Sequence, residues 1–175
     1  MVFGMSLATY TLIHVIISLI GIGSGLIVLF GMFGSKRLDG MTALFLATTA
    51  LTSLTGLGFP YKHVTPGIIL ANLSLLVLAL TLTARYPFRM AGKWRSIYVV
   101  TAVIALYFNC VALVGQSFLK IPVLHALAPT GQEPPFAIAE GILLVLFIVA
   151  GVQAVKKFHP SEAASLARSA SGVKS

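Results

Sequence analysis

Five long apolar segments dominate this sequence and restrict the folds that are open to it. They span about residues 8–33, 41–59, 67–84, 97–119 and 136–155. About 20 helical residues are needed to cross a ~30 Å hydrocarbon core, so each segment is long enough. Backbone polar groups in lipid must be satisfied internally, which favours helices. We therefore predict an all-α polytopic integral membrane protein, a five-transmembrane-helix bundle.

The overall composition is that of a membrane protein. Of the 175 residues, 58% are apolar and only 9% are charged, whereas about 25% of the residues in a soluble domain are charged. Lipid tails are as apolar as the side chains, so helices in lipid associate through close packing and hydrogen bonds. Gly21 and Gly25 lie one helical turn apart and predict such packing, and Asn109 is expected to hydrogen-bond to a neighbouring helix.

Basic residues are distributed unequally between the segments that connect the spans. With spans of alternating direction, two of the twelve Lys and Arg residues, Lys62 and Lys120, fall on one side of the membrane. Short basic loops stay in the cytoplasm during insertion, so we predict an outside amino terminus and an inside carboxyl terminus. The formal charge of +8 indicates anionic lipid headgroups rather than nucleic acid. The residues on the basic side are Lys36, Arg37, Arg85, Arg89, Lys93, Arg95, Lys156, Lys157, Arg168 and Lys174.

The chain is predicted to form one transmembrane domain over residues 1–157. Residues 158–175 are rich in Ser and Ala and are predicted to form a mobile cytoplasmic tail. Tyr86, Trp94 and Tyr98 lie beside the inner basic loop, where aromatic rings are expected to anchor at headgroup depth.

Helix-capping residues lie near the ends of the spans. Asp39 and Ser96 are placed to cap the second and fourth spans. Thr65 with Pro66 is placed to begin the third span, and Pro134 with Pro135 the fifth.

Four polar side chains lie at similar depth near the outer ends of four different helices. At a rise of 1.5 Å per residue, all four are within about 10 Å of those ends. They are His14, Asn72, Gln116 and Glu140. Glu140 is the strongest candidate, because an ionisable residue inside a span is costly unless it faces a cavity, a partner or a proton path. We expect these residues to line an outward-facing polar pocket, with His14 as the partner of Glu140.

Two further histidines, His63 and His125, lie in the outer loops and could join this ligand-binding site. With His14 and Glu140 they would offer the imidazole and carboxylate ligands that zinc and other transition metals prefer. The sequence nevertheless contains no HxxxH, HExxH or CxxC spacing. Whether a metal binds is left open, and no cofactor is required.

The functional interpretation follows from this pocket. No serine has the context of a nucleophile elbow, and the single cysteine, Cys110, lies in the middle of a span, so an enzyme is disfavoured. The leading interpretation is a non-enzymatic membrane component whose pocket binds a small ligand or a partner subunit. One alternative is a small transporter or channel component, and another is a metal-, haem- or quinone-linked redox protein. Expected partners are the lipid bilayer and either further copies of the chain or a membrane complex, without nucleic acid.

Three connecting segments carry a family resemblance. They are residues 58–63, 94–98 and 124–136, and they resemble segments of small bacterial multi-pass inner-membrane proteins. The resemblance extends from the first span to the fifth. It implies a bacterial cytoplasmic membrane and brings no activity with it.

Overall fold

The structure, a computed structural model, describes residues 4–60, 63 and 65–160, and this part of the chain is all-helical. Its helices are α1 (Leu7–Phe33), α2 (Asp39–Leu57), α3 (Pro66–Arg85), α4 (Lys93–Lys120), α5 (Pro122–Leu127) and α6 (Pro134–Lys157). All of them except α5 are long and apolar enough to cross a membrane. The fold is therefore compatible with a multi-pass membrane protein, and α5 is a short helix inside a predicted loop.

The helix boundaries differ from the predicted spans mainly at the start of α4. This helix begins at Lys93, so Ser96 lies inside its first turn and the predicted cap is wrong. Thr65 does cap α3, and Pro134 does begin α6, as predicted. Asp39 is the first residue of α2 but makes no capping hydrogen bond, because its carboxylate is bonded to arginine side chains instead.

α4 is the central helix of the bundle and contacts every other helix. Its buried positions run along most of its length, from Tyr98 through Ala105 and Leu106 to Phe118. α1 packs against α2, and α2 packs against α3. α6 lies at the periphery, where Ala154 is its one buried residue. From Pro134 to Val152, the exposed residues of α6 are all apolar.

Two glycines allow α1 to approach its neighbours closely. A Cβ atom on Gly25 would lie 2.6 Å from Leu106 Cδ1 and 2.9 Å from the Phe45 ring, and both of these side chains are buried. A Cβ atom on Gly21 would lie 3.2 Å from Thr48 Oγ1. Small residues at such positions let helix backbones pack in van der Waals contact, which stabilises helix association in lipid.

Most of the described cations are at one end of the bundle, here called the basic end. They are Lys36, Arg37, Arg85, Arg89, Lys93, Arg95, Lys156 and Lys157. The opposite end, here called the cavity end, has Lys120 among the described residues, while Lys62, Arg168 and Lys174 lie outside them.

The chain continues to pack at the basic end after α6 ends. Phe158 is 1% exposed, and its carbonyl accepts a hydrogen bond of 2.5 Å from Arg95. The backbone N–H of His159 donates to Ser35 Oγ at 2.8 Å. The start of the predicted mobile tail is therefore part of the bundle. Residues 161–175, the rest of that tail, lie outside the described residues.

We predict that Gly25→Ala destabilises the bundle by about 1–3 kcal/mol, because the added methyl group must displace packed side chains. Gly23→Ala is the matched control on the same helix, since a Cβ atom there has no neighbour within 4 Å. Thermal unfolding of both variants in the same detergent measures the difference. Equal midpoints for the two variants would contradict the close approach at Gly25.

Candidate functional site

A cavity of about 550 Å³ lies between α1, α2, α3 and α4 in the half of the bundle toward the cavity end. Pockets of ~300–1,000 Å³ typically hold small-molecule ligands. The walls combine apolar side chains with a set of polar ones. The polar residues are Thr11, His14, Ser18, Thr52, Ser53, Ser74, Asn109, Gln116, Ser117 and Lys120.

His14 is held in the cavity wall by α2. Its Nδ1 lies 2.8 Å from Thr55 Oγ1, and Phe59 packs edge-on against its ring at 5.2 Å between centroids. The Thr55 hydroxyl donates its own hydrogen to the Leu51 carbonyl at 2.7 Å, so it accepts the hydrogen from His14 Nδ1. In the neutral imidazole, Nε2 is then a hydrogen-bond acceptor, with no partner among the described residues.

Two polar groups line the deeper part of the cavity. Asn109 on α4 donates from Nδ2 to Thr49 Oγ1 at 2.9 Å, which joins α4 to α2. Thr52 Oγ1 is buried and has no hydrogen-bond partner in the described part of the chain. Buried polar atoms normally have a partner, but this oxygen exposes less than 1 Å² of surface, so a ligand in the cavity does not reach it directly.

Close packing separates the cavity from the basic end. Phe45, Leu78, Val99 and Leu106 fill this region, and each is at most 2% exposed. The space beside Gly25 in this region has a volume of only about 10 Å³. The cavity is therefore confined to the half of the bundle toward the cavity end and does not reach the basic end.

The structure brings together two of the four residues predicted to converge. His14 and Gln116 both line the cavity, whereas Asn72 does not. The Asn72 side chain is exposed and donates to the Ile68 carbonyl of its own helix at 2.9 Å. His63 and His125, at the same end of the bundle, are exposed and also lie outside the cavity wall.

Glu140 lies on α6, which contributes no residue to the cavity. It is two turns from Phe147, whose ring packs on Tyr107 of α4 at 5.6 Å, so both residues occupy the face of α6 toward α4. Glu140 Oε1 is buried without a hydrogen-bond partner among the described residues. The expected pairing of His14 with Glu140 is wrong, because His14 is bonded to Thr55 instead.

The residues predicted as metal ligands do not assemble. In the described ranges, no three His, Cys, Asp or Glu side chains lie close enough together to hold a metal ion. The cavity offers one imidazole, from His14, among hydroxyl and amide groups. Such groups are better suited to hydrogen-bonding an organic ligand than to holding a transition metal.

A second polar cluster, which was not predicted, lies at the basic end. The Arg85 side chain is 3% exposed and donates to the Asp39 carboxylate. Its guanidinium carbon lies 5.2 Å from the centroid of the Tyr98 ring. This cluster joins α2, α3 and α4. Tyr98 is 1% exposed, so it packs inside the bundle rather than anchoring at headgroup depth as predicted.

The loop before α6 contains an acidic residue with a displaced pKa. Desolvation opposes ionisation of Glu133, but hydrogen bonds from the Thr130 N–H and hydroxyl, and from the N–H groups of Glu133 and Gln132, outweigh it. They lower the pKa of Glu133 to about 2. The carboxylate thus remains ionised near neutral pH and organises this loop, rather than joining the cavity.

The chain matches no family model, no curated protein and no solved structure. Within its described residues, the chain has five helices long and apolar enough to cross a membrane and a ligand-sized cavity between four of them.

We predict that Asp39→Asn lowers the free energy of unfolding by about 1–3 kcal/mol, because it leaves the buried Arg85 guanidinium without an anionic partner. Arg37→Gln is the control, since Arg37 pairs with the same carboxylate at 2.9 Å but is 49% exposed. An exposed pair of this kind contributes about 0–1 kcal/mol. Chemical unfolding in detergent compares the two variants, and an equal loss in both would argue against a special role for Arg85.

Proposed function

We propose that this chain is a non-enzymatic integral membrane protein that binds a small ligand in the cavity between α1, α2, α3 and α4. The observation that carries the proposal is a cavity of about 550 Å³ whose polar groups are not all used by the protein. His14 Nε2 has no partner among the described residues. A ligand whose polar head reaches His14, Gln116 or Lys120 would be favoured over lipid tails, which form no hydrogen bonds.

Few polar groups of the cavity are free to bind a ligand, so they favour a single site that orients the ligand over a wall that is polar throughout. Ser18 donates to the His14 carbonyl at 2.7 Å, and Ser117 donates to the Leu113 carbonyl at 2.7 Å. These hydroxyl hydrogens are satisfied within their own helices, so few groups remain to select a ligand. Pockets with apolar walls and a small number of well-placed polar groups are typical of specific small-molecule binding.

Binding is a better-supported function than conduction. A channel needs polar groups that connect both ends, but the packed region around Phe45 and Leu106 separates the cavity from the basic end. Hydroxyls in that half, such as those of Thr81 and Thr101, donate to carbonyls of their own helices. A transporter would have to open this packed region during its cycle.

We also propose that the protein lies in a bacterial cytoplasmic membrane with its cavity end outside. The support is the concentration of cations at the opposite end of the bundle, since basic connecting segments stay cytoplasmic during insertion. The cavity would then receive ligands from the outer side or from the outer leaflet.

The binding proposal predicts that Ala71→Phe reduces ligand binding by filling the cavity. Ala71 lines the cavity, whereas the adjacent Asn72 is exposed outside it, so Asn72→Phe is a matched control. Native mass spectrometry of protein purified in mild detergent should detect a co-purified molecule in the wild type and in Asn72→Phe. Its loss from Ala71→Phe is the expected result. An empty wild-type protein, or full retention by Ala71→Phe, would contradict the proposal.

The orientation is tested separately by cysteine labelling in a Cys110→Ser background. His63→Cys and Thr130→Cys, at the cavity end, should react with a membrane-impermeant maleimide added to intact cells. Ala91→Cys, at the basic end, should react only after permeabilisation. Labelling of Ala91→Cys in intact cells would reverse the proposed orientation.

A further inference from the structure

The cavity has an apolar mouth on the side surface of the bundle. Val15 and Leu19 of α1 line the cavity while remaining 38% and 50% exposed. Leu113 of α4 and Ile121, the residue after α4, also line it and are 42% and 46% exposed. Residues that belong both to a cavity wall and to the outer surface mark its opening. An opening rimmed by these side chains, within helices long enough to cross a membrane, faces the hydrocarbon of the bilayer.

The position of α6 leaves this mouth uncovered. α6 packs along α4, with Phe136 against Phe118 at 5.4 Å between ring centroids. It meets α1 at the basic end, where Lys157 Nζ lies 6.0 Å from the centroid of the Phe33 ring. It supplies no side chain to the cavity. Toward the cavity end, the gap between α1 and α4 is therefore a lateral entrance from the bilayer.

A ligand that enters from lipid must obtain most of its binding free energy from polar contacts. A ligand dissolved in the bilayer is already surrounded by apolar groups, so it gains little hydrophobic free energy by entering an apolar cavity. Selection must come from contacts with its polar head. The polar groups near the opening include Lys120 and Gln116, with the His14 imidazole deeper along α1.

Lys120 gives the mouth a positive charge that no ion pair neutralises in the described part of the chain. It lies at the carboxyl end of α4, lines the cavity and is exposed. Among the described residues it makes no ion pair, because the ion pairs found there both involve Asp39. A cation beside an apolar opening is complementary to an anionic head attached to an apolar chain.

We propose that the cavity takes up an amphipathic anion from the bilayer, with a single alkyl chain and a carboxylate or phosphate head. Lys120 pairs with the head, and Gln116 donates a hydrogen bond to it. The chain lies along Val15, Leu19 and Leu113, which line the mouth. This inference rests on the proposed function and specifies the chemical class of the ligand and its route of entry.

The test uses photoreactive probes in lipid nanodiscs of phosphatidylcholine, which has no net charge. The probes are a diazirine-bearing long-chain fatty acid and the fatty alcohol with the same chain, at equal mole fraction. We expect the acid to label α1 and α4 residues of the mouth about tenfold more than the alcohol, as one charge-assisted hydrogen bond predicts. Lys120→Gln should reduce labelling by the acid to the level of the alcohol. Lys120→Arg should retain it, and Lys157→Gln, at the basic end, should not change it.

The outcomes separate this inference from the proposed function. Equal labelling of the mouth by acid and alcohol, or acid labelling unaffected by Lys120→Gln, would overturn the anionic head while leaving a ligand cavity in place. Retention of a co-purified molecule without labelling of the mouth by either probe would overturn entry from the bilayer. No labelling by either probe, together with an empty purified protein, would overturn the proposed function as well.

Discussion

The pairing of the buried Arg85 with Asp39 is the constraint on which the basic end of the bundle depends. An arginine remains charged at all physiological pH values. Arg85 is only 3% exposed, so it requires partners inside the protein that compensate its charge. Asp39 supplies the negative charge from α2, and Tyr98 supplies an aromatic face from α4. Arg95 extends this network by donating to carbonyls at the end of α6. These contacts connect α2, α3, α4 and α6 at the same end.

The basic end is densely packed, whereas the cavity end contains open space. From the basic end to the level of Gly25, large side chains such as Phe45 and Leu106 fill the interior. Beyond the Asn109–Thr49 hydrogen bond, the same helices enclose about 550 Å³ of space. Empty space deprives the surrounding side chains of dispersion contacts, which costs stability unless a ligand restores them. The dense packing and ion pairing at the basic end allow the bundle to keep its helices together while the cavity end stays open.

Hydropathy and helical rise predicted the helices and the depth of the polar residues. They did not predict to which side of its helix each polar side chain points. His14, Asn72, Gln116 and Glu140 were placed at one depth, and His14 and Gln116 share the cavity. The side to which a side chain points depends on the rotation of its helix about the helix axis. A helix that is apolar on all faces gives little indication of this rotation. A usable signal was present, since polar residues recur on one face of α1 and one face of α4 at spacings of three, four, seven or eleven residues. These residues are Thr11, His14 and Ser18, and Asn109, Gln116 and Lys120.

In our proposal, the uneven distribution of cations gives the chain two distinct kinds of contact with lipid. At the basic end, exposed groups such as Lys156 and Lys157 would attract anionic headgroups by about 1 kcal/mol per charge. This attraction is screened by salt and does not depend on how the headgroup is oriented. At the cavity end, we propose that Lys120 lies beside an opening that admits an alkyl chain and orients its head. The proposed recognition combines charge with a fixed direction of hydrogen bonding, which surface attraction lacks. A chain whose charges were evenly distributed would have to distinguish a cavity ligand from headgroups at both ends, whereas the proposed arrangement separates these two functions by the length of the bundle.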